Sequence, residues 1–455
     1  LHPSLQKALR LRGIEQLYTH QREAFDKATS GTSFTAITPT ASGKSLCYHL
    51  PVLQEIINDK SSRAIYLFPT KALAQDQKTD LNELIEATGE EVLSYTYDGD
   101  TAPGIRTKIR KAGHIVMTNP DMLHSGILPH HTKWVSLFEN LKYIVIDELH
   151  TYKGVFGSHV AHVIRRLKRI CAFYGANPIF ICTSATIKNP KELAESLTNE
   201  KHELITKSGA PVGKKTFIFY NPPIVNPTFG VRRSAVLEVR DLSKRLFEAG
   251  IQTIIFAKSR VRVEMLVTYL KSLTFNKIGD ESIQGYRGGY LPSERRAIEK
   301  GLRDGSIQMV VSTNALELGV DIGQLQACIM TGYPGNIASA WQQAGRAGRR
   351  QEEALIIYVA QSTALDQYIV NHPTYFFGTH PEEVRINPDN IIILMDHLKC
   401  AAFELPFSMT DTYGEFTVQE LLAYLEEEGV LVKTSTQWHW MSDRFPAHEI
   451  SLRSA

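Results

Sequence analysis

A lysine and an acidic pair that lie far apart in the chain have the side chains that phosphoryl-transfer chemistry requires. Lys44 and Ser45 follow a short apolar run and a glycine. Asp147 and Glu148 follow a second apolar run. An ammonium group neutralises phosphate oxygens, serine and aspartate oxygens ligate Mg²⁺, and a glutamate accepts a proton from an attacking water. The combination predicts a site where water attacks a metal-bound phosphate.

Residues 38–45 have the composition of a phosphate-binding loop between a strand and a helix. At such a junction the backbone N–H groups and the positive end of the helix dipole point at one place. The sequence departs from the usual pattern at its first position, where Thr38 stands instead of glycine. We predict that Lys44 binds the β- and γ-phosphates and that Ser45 ligates Mg²⁺. The other predicted contacts in this loop are Thr40, Ala41, Ser42 and Gly43.

The acidic pair is predicted to complete this half of the site from the tip of the strand at residues 143–146. Asp147 would hold Mg²⁺ directly or through water, and Glu148 would orient the attacking water and take its proton. A solvated turn at the end of a strand is the alternative. His150 either couples the nucleotide to the rest of the site or packs locally, and the sequence leaves both possibilities open.

Two side chains near the start of the chain are candidates for contacting the base of a nucleotide. Gln21 carries an amide that can bond bidentately to an adenine edge. Tyr18 either stacks on the base or fills the core, and a core position is favoured.

A pair of arginines within residues 342–349 is the second candidate half of the site. Arg346 and Arg349 are three residues apart, so on a helix they share one face. Guanidinium groups neutralise the charge that builds up on a transferring γ-phosphate. A basic helix face or a contact with a nucleic-acid backbone is the alternative. In the preceding segment, Gly319 and Asp321 are predicted to approach the nucleotide.

The elements that must position these groups are short apolar strands that alternate with helical stretches. Nearly continuous hydrophobic strands indicate parallel sheets covered on both faces, so the pattern predicts two doubly wound α/β units. A segment rich in proline and glycine at residues 210–233 separates them. We therefore predict a first lobe at residues 1–210, a second at 211–365 and a smaller module at 366–455.

The smaller module is predicted to be winged-helix-like. Residues 389–403 have a helical pattern, and Thr417 begins a capping-box sequence for a second helix that Gly429 can end. Trp438 and Trp440 alternate around a histidine, which is typical of a strand. The module is either a packing appendage with these tryptophans in its core or a wing that contacts DNA.

The composition limits the class of protein. Hydrophobic residues make up 43% of the 455 residues and charged residues 22%, as in ordinary globular proteins. The net charge is only +2, so a nucleic-acid site would need local clusters of lysine and arginine.

The five cysteines are scattered without metal-site spacing, which fits a reducing compartment. No apolar run approaches the ~18–20 residues that span a bilayer. Because the first residue is Leu1, we expect the sequence to be part of a longer protein.

The order and spacing of the motifs resemble the superfamily 2 helicases over most of the chain. The motifs that carry this resemblance are Gln21 and residues 38–45, 69–77, 118–123, 147–150, 184–186, 256–260, 310–321 and 342–349. A narrower likeness lies in residues 148–161 and the basic run that follows them. That stretch looks like the bacterial mitomycin repair factor A (MrfA) helicases and their fungal RecQ-four-like relatives.

The resemblance implies an α/β fold with two tandem RecA-like doubly wound lobes, and ATP and Mg²⁺ as cofactors. It further implies 3′-to-5′ movement on single-stranded or forked DNA and a role in the repair of crosslinked DNA. We expect a monomer in the bacterial cytosol or nucleoid, with no membrane partner. The family carries a C-terminal four-cysteine metal-binding domain. Because the sequence stops before such a cluster, we predict no structural metal in it.

The resemblance also assigns roles to strand-end residues and to a basic run. The predicted nucleic-acid contacts are Thr70, Lys71, Thr118, Asn119, Lys258, Arg260 and Thr313. Ser184 and Thr186 would couple the nucleotide and nucleic-acid sites, together with His150. A basic run on a helical stretch is either a solvated face or a DNA track, and it consists of Arg165, Arg166, Lys168 and Arg169.

Two other functions remain open from the sequence. An RNA helicase or nucleic-acid remodelling ATPase would have the same core, because none of these motifs tests the ribose 2′-hydroxyl. A non-catalytic scaffold with a degenerate site is disfavoured, because Lys44, Asp147, Glu148 and the two arginines are all present.

Overall fold

The computed structural model describes residues 1–39, 42–211, 213–274, 280–317, 319–320, 322–323, 325–348, 353–379, 381–414 and 416–454. Four residues with predicted roles lie outside the described residues, namely Thr40, Ala41, Asp321 and Arg349. The predicted fold class is confirmed, because two parallel-sheet lobes are followed by a winged-helix domain.

Lobe one is built around a parallel sheet that has seven strands among the described residues, in the order β3-β4-β2-β5-β6-β1-β7. The strands are β1 (Phe34–Ile37), β2 (Arg63–Leu67), β3 (Ser94–Thr96), β4 (Ile115–Thr118), β5 (Leu141–Ile146), β6 (Ile179–Ser184) and β7 (Glu203–Ile205). Alternate residues of β5 enter different hydrophobic clusters: Ile144 and Ile146 face one layer, and Tyr143 and Val145 face the other. This is why the strand sequences are continuously apolar.

Helices cover both faces of this sheet. They are α1 (Pro3–Leu11), α2 (Thr19–Thr29), α3 (Leu46–Asn58), α4 (Lys71–Thr88), α5 (Pro103–Ala112), α6 (Pro120–Met122), α7 (Val135–Glu139), α8 (Gly154–Phe173) and α9 (Pro190–Thr198). Short 3₁₀- or π-helical turns occupy Leu123–Ile127, Leu128–Lys133 and Leu149–Thr151.

Lobe two repeats this plan with a parallel sheet in the order β12-β13-β11-β14-β15-β8. Its strands are β8 (Lys215–Tyr220), β11 (Thr253–Phe256), β12 (Ile283–Tyr286), β13 (Met309–Ser312), β14 (Ala327–Thr331) and β15 (Ala354–Val359), and a separate hairpin contains β9 (Ile224–Asn226) and β10 (Val231–Arg232). Strand β8 lies inside the segment predicted as a connector. Part of this segment is therefore an edge strand of the second sheet.

The helices of lobe two lie between these strands and after the last one. They are α10 (Ala235–Glu248), α11 (Arg260–Thr274), α12 (Pro292–Asp304), α13 (Ile337–Ala344), α14 (Ala364–Asn371) and α15 (Pro373–Gly378), with short 3₁₀ turns at Asp280–Ser282 and Asn314–Leu316.

The winged-helix domain follows as a small domain with its own core. Its elements are α16 (Ile391–Glu404), β16 (Phe407–Ser408), β17 (Thr412–Tyr413), β18 (Phe416–Thr417), α17 (Gln419–Glu427), β19 (Leu431–Lys433), β20 (Gln437–Trp440) and a 3₁₀ turn at Pro446–His448. Trp438 is buried in this core, as the packing alternative predicted. The capping-box prediction at Thr417 is wrong, because this residue pairs with Thr412 in a strand and α17 begins two residues later.

The basic run of α8 holds the winged-helix domain against lobe one. Arg166 is fully buried, and its Nε lies 3.1 Å from each carboxylate oxygen of Glu404 at the end of α16. Arg169 donates to the carbonyl oxygens of Ala401 and Leu405 at 2.8 and 2.9 Å. Both predictions for this run, a solvated face or a DNA track, are therefore wrong for these two arginines.

Four histidines surround this arginine cluster. Nδ1 of His124 lies 2.6 Å from Nη1 of Arg166, and Nδ1 of His159 lies 3.0 Å from Nε2 of His397. The ring of His162 stacks on that of His397. The joint between lobe one and the winged-helix domain is therefore polar, buried and hydrogen-bonded.

Two findings bear on the composition. Each of the five cysteines is free and buried. In the part of the chain that the structure describes, no helix has both the length and the apolar character needed to cross a membrane.

Candidate nucleotide site and nucleic-acid interface

The described residues of the phosphate loop lie where β1 leads into α3. Gly43 has a φ of 77°, and a Cβ there would lie 2.6 Å from Nε2 of Gln21. The Gln21 amide donates to the carbonyl oxygen of Gly43 at 3.0 Å and accepts from the N–H of Tyr18 at 3.0 Å. Gln21 therefore braces the loop, and its contact with adenine stays a prediction. The core position predicted for Tyr18 is wrong, because its ring is only half-buried and stacks on His20.

Lys44 and Ser45 stand at the start of α3, close to the end of β6. The ammonium group of Lys44 donates to the carbonyl oxygen of Ser184 at 3.4 Å, and Ser45 is the residue that precedes α3. The hydroxyl of Ser42 lies 2.6 Å from that of Thr38, so the threonine at the atypical first position stabilises the loop with its side chain.

Asp147 lies at the end of β5 and is surrounded by hydrogen-bond donors. Its carboxylate accepts from the hydroxyl of Thr183, from the N–H of Glu148 at 2.9 Å and from the hydroxyl of Tyr48 at 3.4 Å. Burial and the neighbouring carboxylate of Glu148 raise the pKa of Asp147 to about 6. A cation beside this carboxylate would restore its ionised form. Oxygen ligands from Asp147 and Ser45 fit Mg²⁺, which binds through few carboxylates and the phosphates of its nucleotide.

Glu148 is the point where lobe one meets lobe two. Burial alone would raise the pKa of Glu148, but Lys44, His150 and Arg346 hold it below its usual value, with help from the N–H of Gly319. The carboxylate is therefore ionised and able to accept a proton. A Cβ on Gly319 would lie 2.9 Å from Oε1 of Glu148, so a side chain at this position would displace the carboxylate.

His150 joins three segments of the site. Its Nδ1 accepts from the N–H of Ala185 at 3.2 Å and lies 3.5 Å from both the Glu148 carboxylate and the Ser184 hydroxyl. Burial lowers the pKa of His150 to about 4, so the ring is neutral and carries its proton on Nε2. That nitrogen lies 2.5 Å from the side-chain amide nitrogen of Gln342 in lobe two. With the amide turned by 180°, its oxygen accepts the proton. Thr186, also predicted to couple the sites, is exposed and lies apart from these contacts.

Arg346 is buried beside the segment that carries Gly319. Its guanidinium donates to the carbonyl oxygens of Val320 and Glu317 at 2.8 and 2.9 Å. No role was predicted for Gln342, although it lies in α13 four residues before Arg346, which follows in the turn after that helix. That spacing is the signal that identifies it in retrospect.

The lobe-one residues predicted to contact nucleic acid follow adjacent strands, β2 and β4. Thr70 caps α4 and is exposed, and Lys71 pairs with Asp100 at 2.9 Å. Asn119 caps α6. Thr118 is buried, and its hydroxyl donates to the carbonyl oxygen of Tyr97 at 2.7 Å. The Thr118 hydroxyl is thus already hydrogen-bonded within lobe one, and its contact with a phosphate stays a prediction.

The corresponding residues of lobe two also follow adjacent strands, β11 and β13. Lys258 and Arg260 are exposed after β11. Thr313 follows β13 and is half-exposed, and its hydroxyl accepts weakly from the N–H of Ala315 at 3.4 Å. Each lobe thus presents polar groups at the carboxyl ends of neighbouring strands, where backbone phosphates can be held without reading sequence.

Comparison with known proteins agrees with this geometry. Residues 18–193 match the DEAD/DEAH box helicases, residues 238–351 the helicase conserved C-terminal domain, and residues 386–455 the winged helix domain of the ATP-dependent helicase HRQ1. The fold and site thus define a superfamily 2 helicase.

Individual relatives narrow this class. The chain is 65% identical to the ATP-dependent helicase YprA of Bacillus subtilis over 99% of its length and 60% of that protein. It is 37% identical to the ATP-dependent helicase hrq1 of Schizosaccharomyces pombe, over 97% of its length and 42% of that protein. A crystal structure of the DUF1998 helicase MrfA bound to DNA and AMPPNP has a TM-score of 0.97 and 65% identity, over 100% of this chain and 64% of that one. The chain belongs to the MrfA and Hrq1 family of ATP-dependent helicases, and it spans less than two thirds of these relatives.

Proposed function

We propose that this chain is the motor of an ATP-dependent helicase that moves 3′ to 5′ on single-stranded DNA and unwinds duplexes. The observation that carries the proposal is the junction of the lobes at the candidate site. Glu148 of lobe one contacts the backbone of Gly319 in lobe two, and His150 contacts Gln342. Because one site uses groups from both lobes, its turnover must depend on how the lobes are arranged.

The residues have distinct roles in this proposal. The loop around Lys44 binds the phosphates of ATP, and Ser45 and Asp147 hold Mg²⁺, which supplies charge stabilisation when bound. Glu148 orients a water and takes its proton as the oxygen attacks the γ-phosphate. Arg346, with Arg349 as a second proposed finger, stabilises the negative charge that builds up on the transferring group.

Movement would follow from alternating grips. With ATP bound, the lobes close so that Glu148 of lobe one and Arg346 of lobe two both act on the γ-phosphate. Hydrolysis releases this closed arrangement. The phosphate-binding loops of lobe one, near Thr70 and Asn119, and those of lobe two, near Lys258 and Thr313, then hold the strand in turn. Both sets lie at strand ends of their sheets.

DNA is the proposed substrate because MrfA, 65% identical to this chain, has been solved bound to DNA. A role in repair of crosslinked DNA is proposed from the family resemblance alone. We also propose a monomer that works in a bacterial cytosol, in keeping with a Bacillus relative and with five buried free cysteines.

The first test is ATP hydrolysis with and without single-stranded DNA, or RNA of the same sequence. We expect DNA to stimulate turnover and RNA to do so weakly. Glu148→Gln should bind ATP normally and lose on the order of 10²–10⁴-fold in turnover, because the proton acceptor is removed. Equal stimulation by RNA would favour the RNA helicase. A flat baseline with either polymer, or near-normal turnover of Glu148→Gln, would overturn the proposal.

The second test is strand separation on forked, 3′-tailed and 5′-tailed duplexes. A motor that moves 3′ to 5′ unwinds the forked and 3′-tailed duplexes and leaves the 5′-tailed one intact. Unwinding from the 5′ tail alone would reverse the proposed direction.

A further inference from the structure

The last described residues return from the winged-helix domain to lobe one. After the short turn at Pro446–His448, Leu452 is buried in the hydrophobic cluster of lobe one that contains Ile146 and Leu149. This anchor places the next residue, Arg453, at the edge of the lobe-one sheet where β2 and β4 end.

Arg453 contacts three separate segments of lobe one. Its Nη2 donates to the carbonyl oxygen of Pro69 at 3.1 Å. Its Nε and Nη2 donate to Oδ2 of Asp121 at 3.2 and 3.1 Å. The guanidinium carbon also lies 4.2 Å from the ring centroid of Phe156 in α8. One side chain therefore links the loop after β2, the loop after β4 and a long helix.

The two loops that Arg453 links are those that carry the proposed phosphate contacts of lobe one. Pro69 immediately precedes Thr70, the cap of α4, and Asp121 lies in the first turn of α6, which Asn119 caps. Thr70 and Asn119 follow adjacent strands, where polar groups can hold backbone phosphates without reading sequence. The distance between these two loops sets which pair of backbone phosphates can be held at once.

We propose that Arg453 is a positioning residue that fixes this spacing, so that the grip of lobe one on DNA depends on the docked tail of the winged-helix domain. The inference rests on the proposed function. A guanidinium suits the task because its planar fork donates in two directions at once, which an ammonium group does not do in a fixed geometry. The nearby carboxylate of Asp121 opposes a direct role for this site in binding phosphate.

The test compares three variants by the single-stranded DNA concentration that half-saturates ATP hydrolysis. Arg453→Ala should raise that concentration about fivefold, because it removes hydrogen bonds made by a side chain that is 51% exposed. Arg453→Lys should recover little of the loss. The matched control is Arg444→Ala, which removes the same charge from a side chain that is 79% exposed and 3.9 Å from Glu449. It should change the concentration less than about twofold.

The variant Asp121→Asn tests whether DNA binding becomes stronger or weaker. Removing a negative charge beside a polyanion should strengthen DNA binding if charge alone matters. If Asp121 acts as the anchor of Arg453, the same change should weaken binding, by about as much as Arg453→Ala. In Arg453→Ala and in Asp121→Asn, the ATP concentration that half-saturates hydrolysis at saturating DNA should stay unchanged. This result separates a positioning role from a general loss of structure.

The outcomes separate this inference from the proposed function. Absence of DNA stimulation in the unmodified protein would count against the proposed function. With that stimulation present, wild-type DNA affinity in Arg453→Ala, full recovery in Arg453→Lys or tighter binding in Asp121→Asn would overturn the role of Arg453.

Discussion

Lobe one has two interfaces of opposite character. Against the winged-helix domain it buries a whole charged cluster, in which Arg166 bonds Glu404 and a set of histidines. Against lobe two, at the candidate site, it makes single hydrogen bonds, one of which involves Glu148, the proposed proton acceptor. Opening the first interface therefore requires much more free energy than opening the second.

This difference indicates which parts move together. Separating Arg166 from Glu404 would leave two buried charges without partners, whereas separating Glu148 from Gly319 would return a carboxylate and an amide to water or to substrate. We infer that lobe one and the winged-helix domain move as one body and that lobe two moves against them.

The largest effect is expected at the winged-helix interface. Glu404→Ala should lower the free energy of unfolding by about 3–5 kcal/mol, because it strands the buried guanidinium of Arg166. Urea unfolding gives the measurement. Glu200→Ala is the control: this carboxylate pairs with the partly exposed Lys168, and its loss should cost at most about 1 kcal/mol. Equal losses in the two variants would contradict the fixed joint.

Acid should loosen the same interface. Burial, with Arg166 or Arg165 nearby, lowers the pKa of His124 and of His162 to about 3, and burial also lowers that of His397. The folded state thus binds these protons less readily than the unfolded state. The stability of the joint is complete above pH ~6.5 and falls as the pH drops toward 3, by up to about 1.4 kcal/mol per pH unit for each histidine.

Hydrogen exchange of α16 between pH 7.5 and 5 measures this loss, with exchange rates corrected for their intrinsic pH dependence. Protection of α16 should fall before that of β5 in the core of lobe one. Unchanged protection of α16 down to pH 5 would show that the histidines do not control the joint.

The smallest effect on stability is expected at the lobe junction. Gln342→Ala should change the free energy of unfolding by less than about 1 kcal/mol, yet lower DNA-stimulated turnover about tenfold through the orientation of His150 and Glu148. Steady-state ATP hydrolysis and urea unfolding on the same preparation measure both. A large loss of stability with normal turnover would place Gln342 in a static interface instead.

The features that could be predicted from the sequence are those that a local pattern of residues determines. The apolar run before the loop of Lys44 and the one that ends at Asp147 are strands whatever the distant chain does, so the two lobes and the nucleotide loop were predictable. Arg166 was not, because its partner Glu404 lies 238 residues away and nothing local distinguishes it from a solvated arginine. The prediction for Thr417 failed for a local reason, because pairing with the nearby Thr412 places it in a strand instead of at a helix cap.

Glu148 combines the proton-accepting role proposed for it with a left-handed backbone, at φ 52° and ψ 47°. A side chain in that conformation costs roughly 1–2 kcal/mol, whereas glycine adopts it freely. Glu148→Gly would therefore relieve this strain while abolishing proton transfer. Screens that reward thermal resistance alone would drift toward inactive protein at this position. Directed evolution of such motors should therefore select for turnover and stability together.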